Sequence, residues 1–323
     1  MLGIRVASSF ASGRGHIVRC KAIRAHIDEP VIWFPDEDGG HELAGRNDTV
    51  QIEREVESVN ALQVQVNAGR VSKVLFDSYQ VDPDAVAALS RSVPCLAICD
   101  FRPFPDVHRI VVPQAYQKSS GTIYGGLAYQ IVAASFTPFR GRAVSEARGT
   151  IRILVSFGAR DSSNRTGLVL SALELLRECK NSSQAFSVTC VLGENAPHRE
   201  EIRERISTHT DMALMVGVDD LGPLYASHDL AIGAPGVSQA ERAYCGLPTL
   251  LVAQNEAQTA LCRAWADLNA ALVAKPDLSE IAGRIDTLIN SPGFRNDLRL
   301  SAMKLVDGAG AKRIADLIQE MTK

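Results

Sequence analysis

Short, unbroken apolar runs alternate with stretches of helical periodicity along most of the chain. In the first half the runs are IRVASS (4–9), PVIWFP (30–35), KVLFDS (73–78), PCLAICD (94–100) and RIVVPQ (109–114). Between them HIVRCKAIRAHI (16–27) and DPDAVAALSRS (82–92) read as helices, the second opened by Asp82 as N-cap and Pro83 at the first helical position. Runs without strict alternation are expected of parallel strands covered on both faces. After the polar, non-periodic stretch GRAVSEARGT (141–150), read as a linker, the pattern restarts. Strands are expected at 151–158, 186–193, 213–218, 229–235, 248–253 and 270–274, and helices at 166–179 and 255–269. From about 278 to the end only helices are expected.

This pattern predicts an α/β protein of two Rossmann-like domains, 1–148 and 149–323, with a return of the last helix onto the first domain left open. Ligands of such sheets sit beyond the carboxyl ends of the strands, so the expected site is a cleft between the domains.

Composition narrows the partners. The chain has 323 residues, 46% of them hydrophobic, and a formal net charge of −3 with no long basic run, which argues against nucleic acid. No window approaches the ~18 apolar residues of a membrane span. The start, MLGIRVASSF, enters a strand directly, so no signal peptide is expected and a cytoplasmic protein is. Seven scattered cysteines read as buried thiols of a reducing compartment.

The chemistry gathers in loops at strand ends. The first strand runs into ASGRGH, where Gly13 and Gly15 allow close backbone approach and His16 falls at the first turn of the next helix. A neutral imidazole there can take a proton from water, with the helix dipole helping to keep it neutral; the plain alternative is a histidine beside a tight turn. The G-x-G-x-x-G dinucleotide spacing is not met. In IGAPGVSQAERAYCGLP (232–248) a strand ends in glycines, a helix starts near Val237–Ser238 and Gly246 ends it. Gly236 and Ser238 suit phosphates, and Glu241 suits a pair of ribose hydroxyls. SFGARDSSNRTG (156–167), with Gly158, Asp161 and Asn164, suits a diphosphate or sugar, or simply a helix-capping turn. Asp77 and Tyr79, and Asp100 and Arg102, end two strands, where a carboxylate can hold sugar hydroxyls or orient His16. The D-x-D of PDED (35–38) reads as a solvated loop before it reads as a metal-nucleotide site. The six other histidines lack ligand spacing.

Taken together, GRGHIVRCKAIRA resembles the G-x-G-H-x-x-R opening of the UDP-sugar hydrolases of pseudaminic acid biosynthesis, and GAPGVSQAERAYCGLPTLLVAQNEAQ is similar to their G-A-x-G-x-x-x-x-E-R-x-x-x-G-L-P block. The second block also resembles that of the lipid II-forming N-acetylglucosaminyltransferase. FDSY and FGARD stand where the hydrolases have D-x-Y and G-G-x-D, and the likeness runs from about 4 to 260 in matching order. Ala159 replaces a second glycine and Ser78 a common histidine, both in loops that would meet the sugar.

The resemblance implies a glycosyltransferase-B fold and metal-independent hydrolysis of a UDP-linked amino or deoxy sugar, with no cofactor. It implies a role in pseudaminic-type acid synthesis, as in flagellin glycosylation, or in surface polysaccharide synthesis. His16 would be the base, assisted by Asp77 and Tyr79. Gly13, Arg14, Gly15, Arg19, Gly158, Asp161, Asn164, Gly236, Val237, Ser238, Glu241 and Gln258 would meet the UDP-sugar. Glycosyl transfer from a UDP-sugar and silent nucleotide-sugar binding are the alternatives, and a monomer or weak dimer is expected.

Overall fold

The computed structural model describes residues 1–8, 15–36, 43, 45, 47–55, 57–100, 105–114, 117–141, 149–178 and 185–322. Gly13, Arg14, Arg102 and most of the 141–150 linker lie outside them. The chain divides into two compact units, Met1–Ala134 with Gly308–Lys323, and Ser135–Asp307. The described boundary thus falls at 134/135, where the apolar pattern suggests 148/149.

Unit 1 carries a parallel sheet of strands β1 (Leu2–Val6), β2 (Val31–Pro35), β3 (Thr49–Val50), β4 (Lys73–Asp77), β5 (Cys95–Ile98), β6 (Arg109–Val112) and β7 (Ile123–Gly125). Their order is β3-β2-β1-β4-β5-β6-β7. The expected runs became the interior strands: β1 and β2 are buried at every position. The two short edge strands were not expected. Two or three residues, exposed or half-buried, leave no apolar run to detect.

Helices α1 (Gly15–Arg24), α2 (Asn60–Asn67) and α3 (Pro83–Ser90) cover this sheet, together with α11 (Gly310–Gln319) from the end of the chain. Asp82 caps α3 as expected, its carboxylate accepting from the Asp84 amide. α11 returns because Ala311, Ile314, Ala315 and Ile318 make one apolar stripe, and it packs with Ile17, Cys20 and Ile23 of α1. Three basic side chains fix it: Lys73 and Arg109 donate to the carbonyls of Gln319 and Leu317 in its last turn, and Arg313 to that of Ala128.

Unit 2 carries β8 (Ile151–Ser156), β9 (Phe186–Leu192), β10 (Met212–Val216), β11 (Leu230–Gly233), β12 (Thr249–Val252) and β13 (Leu272–Ala274), all parallel, in the order β10-β9-β8-β11-β12-β13. Its helices are α4 (Arg165–Glu178), α5 (Arg199–Ser207), α6 (Gly222–Ser227), α7 (Val237–Cys245), α8 (Glu256–Asp267), α9 (Leu278–Asn290) and α10 (Pro292–Leu305). Burial along edge strand β10 alternates, as one open side requires. Gly246 ends α7 in the left-handed region, φ 79°, where a Cβ would also strike the Met303 sulfur.

Both sheets are doubly wound. The strand order turns back between β1 and β4 in unit 1 and between β8 and β11 in unit 2, and these are the switch points at which such sheets hold ligands.

Candidate functional site

At the unit 1 switch point His16, Arg19, Asp77, Tyr79 and Asp100 meet. Side chains alternate along a strand, so Asp77 shares a face with Leu75, which packs in the core against α1. On α1, His16, Arg19, Cys20 and Ile23 follow the three-and-four spacing of one helical face. The last residue of β4 and the first turn of α1 therefore converge. His16 Nδ1 lies 2.6 Å from Asp77 Oδ1, with His16 6% exposed and Asp77 fully buried. A carboxylate can only accept, so in its 2.6 Å contact with Asp77 Nδ1 donates and Nε2 is left to accept; Arg19 Nη2, a donor, lies farther from the same Nδ1, at 3.3 Å.

Arg19 donates to both oxygens of Asp77 and, through Nη1, to Asp100 Oδ2 at 2.9 Å. Burial pushes the Asp77 carboxyl up, but the charge and hydrogen bonds of Arg19, with His16, outweigh it and hold it at about 2. Asp77 is therefore ionised at neutral pH. Asp100 also accepts from the Tyr79 hydroxyl and, at 2.8 Å, from Gln114 Nε2. The Tyr79 ring meets the imidazole edge-on, centroids 4.7 Å apart. Gly15 opens α1. The structure thus brings together His16, Asp77, Tyr79 and Arg19, with the Arg19 fork engaged by the two carboxylates. Gln114 was missed by the sequence reading. Its signal was position: Asp77, Asp100 and Gln114 each stand at or just beyond the carboxyl end of one of three neighbouring strands, β4, β5 and β6.

Asp36, of the D-x-D segment, is fully buried and ion-paired with Arg5, and it accepts from the Ser8 amide at 3.2 Å. It is a structural carboxylate, not the solvated loop residue expected. Asp38 lies outside the described residues.

At the unit 2 switch point, β11 ends in Gly233 and α7 begins at Val237, with Gly236 as N-cap. Val237 is exposed and Ser238 half-buried at the first turn of α7, whose leading amides have no partner four residues back within the helix. Glu241 accepts from the Tyr225 hydroxyl at 3.3 Å, and burial pushes its carboxyl above the ordinary range against the pull of Arg242. Arg242 is buried beneath the loop, donating to the Ala234 carbonyl at 2.7 Å and to Gln239 at 3.1 Å. Tyr225 and Arg242 escaped the sequence reading, since nothing local marks a tyrosine from α6 as the partner of Glu241.

The loop after β8 has the capping geometry. Asp161 accepts from the amides of Arg165 and Thr166 at 2.9 and 2.8 Å, and Asn164 from that of Gly167 at 3.1 Å. Gly158, Asp161 and Asn164 all have positive φ. Gln258 accepts from the Gln254 amide at 3.0 Å. A cavity of ≈ 340 Å³ opens here, lined by Arg160, Asp161, Ser162, Ser163, Gln254 and Asn255 among others.

No family model matches the chain. It is 24% identical over 339 residues to the spore coat polysaccharide biosynthesis protein SpsG of Bacillus subtilis, covering 99% of this chain and 98% of that one. Among solved structures, a glycosyltransferase from Rickettsia africae superposes with a TM-score of 0.70 at 13% identity, covering 99% of both chains. The UDP co-structure of Staphylococcus aureus MnaA superposes with a TM-score of 0.62 at 13% identity, covering 100% and 99%. Along its whole length, then, the chain is a homologue of a polysaccharide biosynthesis protein, and its fold is glycosyltransferase-B.

Proposed function

We propose that the protein is a UDP-sugar-using enzyme of polysaccharide biosynthesis. More specifically, we propose that it hydrolyses a UDP-linked amino or deoxy sugar at the anomeric carbon, without a metal, for a pseudaminic-type acid or a surface polysaccharide. The likeness to SpsG and to a UDP-bound structure supports the coarser statement. The observation that carries the finer one is the 2.6 Å contact between His16 Nδ1 and the buried, ionised Asp77.

In this reaction water attacks the anomeric carbon as the bond to the β-phosphate oxygen breaks. His16 Nε2 takes the water proton, and Asp77 fixes the tautomer and stabilises the imidazolium that forms. Amides of 236–238 at the start of α7 meet the diphosphate, whose charge grows as it leaves. Glu241 accepts from the ribose hydroxyls. One direct displacement inverts the anomeric centre, by analogy with inverting glycosidases.

The test is UDP release from a UDP-sugar panel without acceptor, for the native protein and His16→Asn. Steady turnover to free sugar, lost in the variant, is expected. Turnover only when a hydroxyl acceptor is added identifies a transferase, and a rate indifferent to the substitution removes His16 as base.

A further inference from the structure

Arg160, in the loop after β8, is an exposed cation on a held backbone. Its guanidinium has no hydrogen-bond or ion-pair partner among the described residues. Its neighbours in the chain are both anchored. The Ala159 carbonyl accepts from the Gly193 amide at 3.0 Å, and a Cβ at Gly193 would strike that carbonyl, so the two segments meet closely there. On the other side Asp161 is buried and caps α4 through two amides.

The cavity of ≈ 340 Å³ that Arg160 lines is formed by this loop and by the loop after β12. Two contacts tie the loops together: Gln254 Nε2 donates to the Phe157 carbonyl at 2.9 Å, and Arg165 Nε to that of Ala253 at 3.0 Å. In the sheet β11 lies between β8 and β12, so the cavity flanks the turn that leads into α7.

The polar lining suits an oxyanion. Ser162 and Ser163 are exposed, and neither hydroxyl is hydrogen-bonded among the described residues. Asn255 Oδ1 accepts from the Gln258 amide, which leaves the Asn255 side-chain NH2 to donate. Asp161, the acidic residue of the lining, has both carboxylate oxygens on amides of α4. A guanidinium offers parallel N–H groups, a fork that matches two oxygens on one phosphorus or one carbon.

We infer that Arg160, with the Ser162 and Ser163 hydroxyls, binds an anionic group of the UDP-sugar: a phosphate of the diphosphate beside the α7 turn, or an acidic substituent on the sugar. The inference rests on the reading of the protein as a UDP-sugar enzyme. Asp161 then shapes the loop that carries the ligand-binding cation and does not meet the ligand itself.

The experiment is calorimetric titration of the native protein and Arg160→Gln with uridine, UDP, UDP-glucose and UDP-glucuronate, at low and high salt. The Tm of the variant is expected to be unchanged, because the guanidinium holds no other group among the described residues. Affinity for the ligand that carries the recognised anion is expected to fall about tenfold, and its salt dependence to become shallower. A loss for UDP that uridine does not share assigns the fork to the diphosphate. A loss confined to UDP-glucuronate, with UDP and UDP-glucose unchanged, assigns it to an acidic group on the sugar. Unchanged affinities, a loss that uridine shares equally, or a loss without a change in salt dependence overturns the inference. A native protein that binds neither UDP nor either UDP-sugar overturns the reading beneath it, so the native titration tells the two failures apart.

Discussion

The two units place different polar chemistry on one architecture. In each, the first strand of a parallel sheet is followed by a helix beside a switch point, and in unit 2 a polar turn joins the two. In unit 2 the carboxylate of that turn, Asp161, accepts from two backbone amides of α4. In unit 1 the carboxylate facing α1, Asp77, accepts from side chains, an imidazole and a guanidinium. A carboxylate answered by amides finishes a helix, and one answered by an imidazole sets a proton affinity. The contrast shows that residue type and loop position do not separate the two uses; the donors do.

The largest expected break of this contrast is His16→Asn, which should lower kcat for UDP release by about 10²–10⁴-fold and leave UDP binding, measured by calorimetry, nearly intact. Next comes acid stability. The folded Asp77 carboxyl is lowered to about 2, so its contribution is complete above the unfolded value near 4 and is lost as pH falls through about 2. About 2 kcal/mol of stability should disappear over that window, and Asp77→Asn should flatten the acid limb of Tm against pH. An unchanged limb would mean that the Arg19 pair contributes nothing net.

Glu241→Ala should weaken UDP about tenfold, with a smaller effect on kcat, opposite to the His16 pattern. The raised Glu241 carboxyl also predicts that UDP affinity declines, as pH falls, earlier than for an ordinary glutamate. Calorimetry across pH 4–7 (roughly from the usual glutamate value to neutrality) reads both effects. The smallest change is expected of Asp161→Ala: a lost cap costing about 1 kcal/mol, seen as a lower Tm with KM unchanged. A raised KM at unchanged Tm would return Asp161 to the substrate and erase the contrast between the units.

Much of the frame was legible along the chain. Interior strands such as β1, β4, β8 and β12 are apolar runs because both faces are covered, and burial on both faces leaves its mark residue by residue. α7 announced both ends, with glycines before Val237 and Gly246 after Cys245. Edge strands β3 and β7 went unseen because a short, half-open strand needs no such run. The candidate residues His16, Asp77, Asp100 and Glu241 stood out from strand-end position and motif resemblance. A strand-end carboxylate orienting His16 was expected and Asp77 does so across 61 positions, but the link from Arg19 to Asp100, 81 positions apart, was not.

What the amino-acid order determined by itself is therefore local: periodicity, caps, turns, and which polar residues end the strands. What only the tertiary structure decided is which of those groups answer each other, so that Asp77 meets an imidazole, Asp36 an arginine and Asp161 two amides. Periodicity is written by nearest neighbours and by burial, whereas the partner of a buried charge is set by the sheet order that brings distant strand ends side by side.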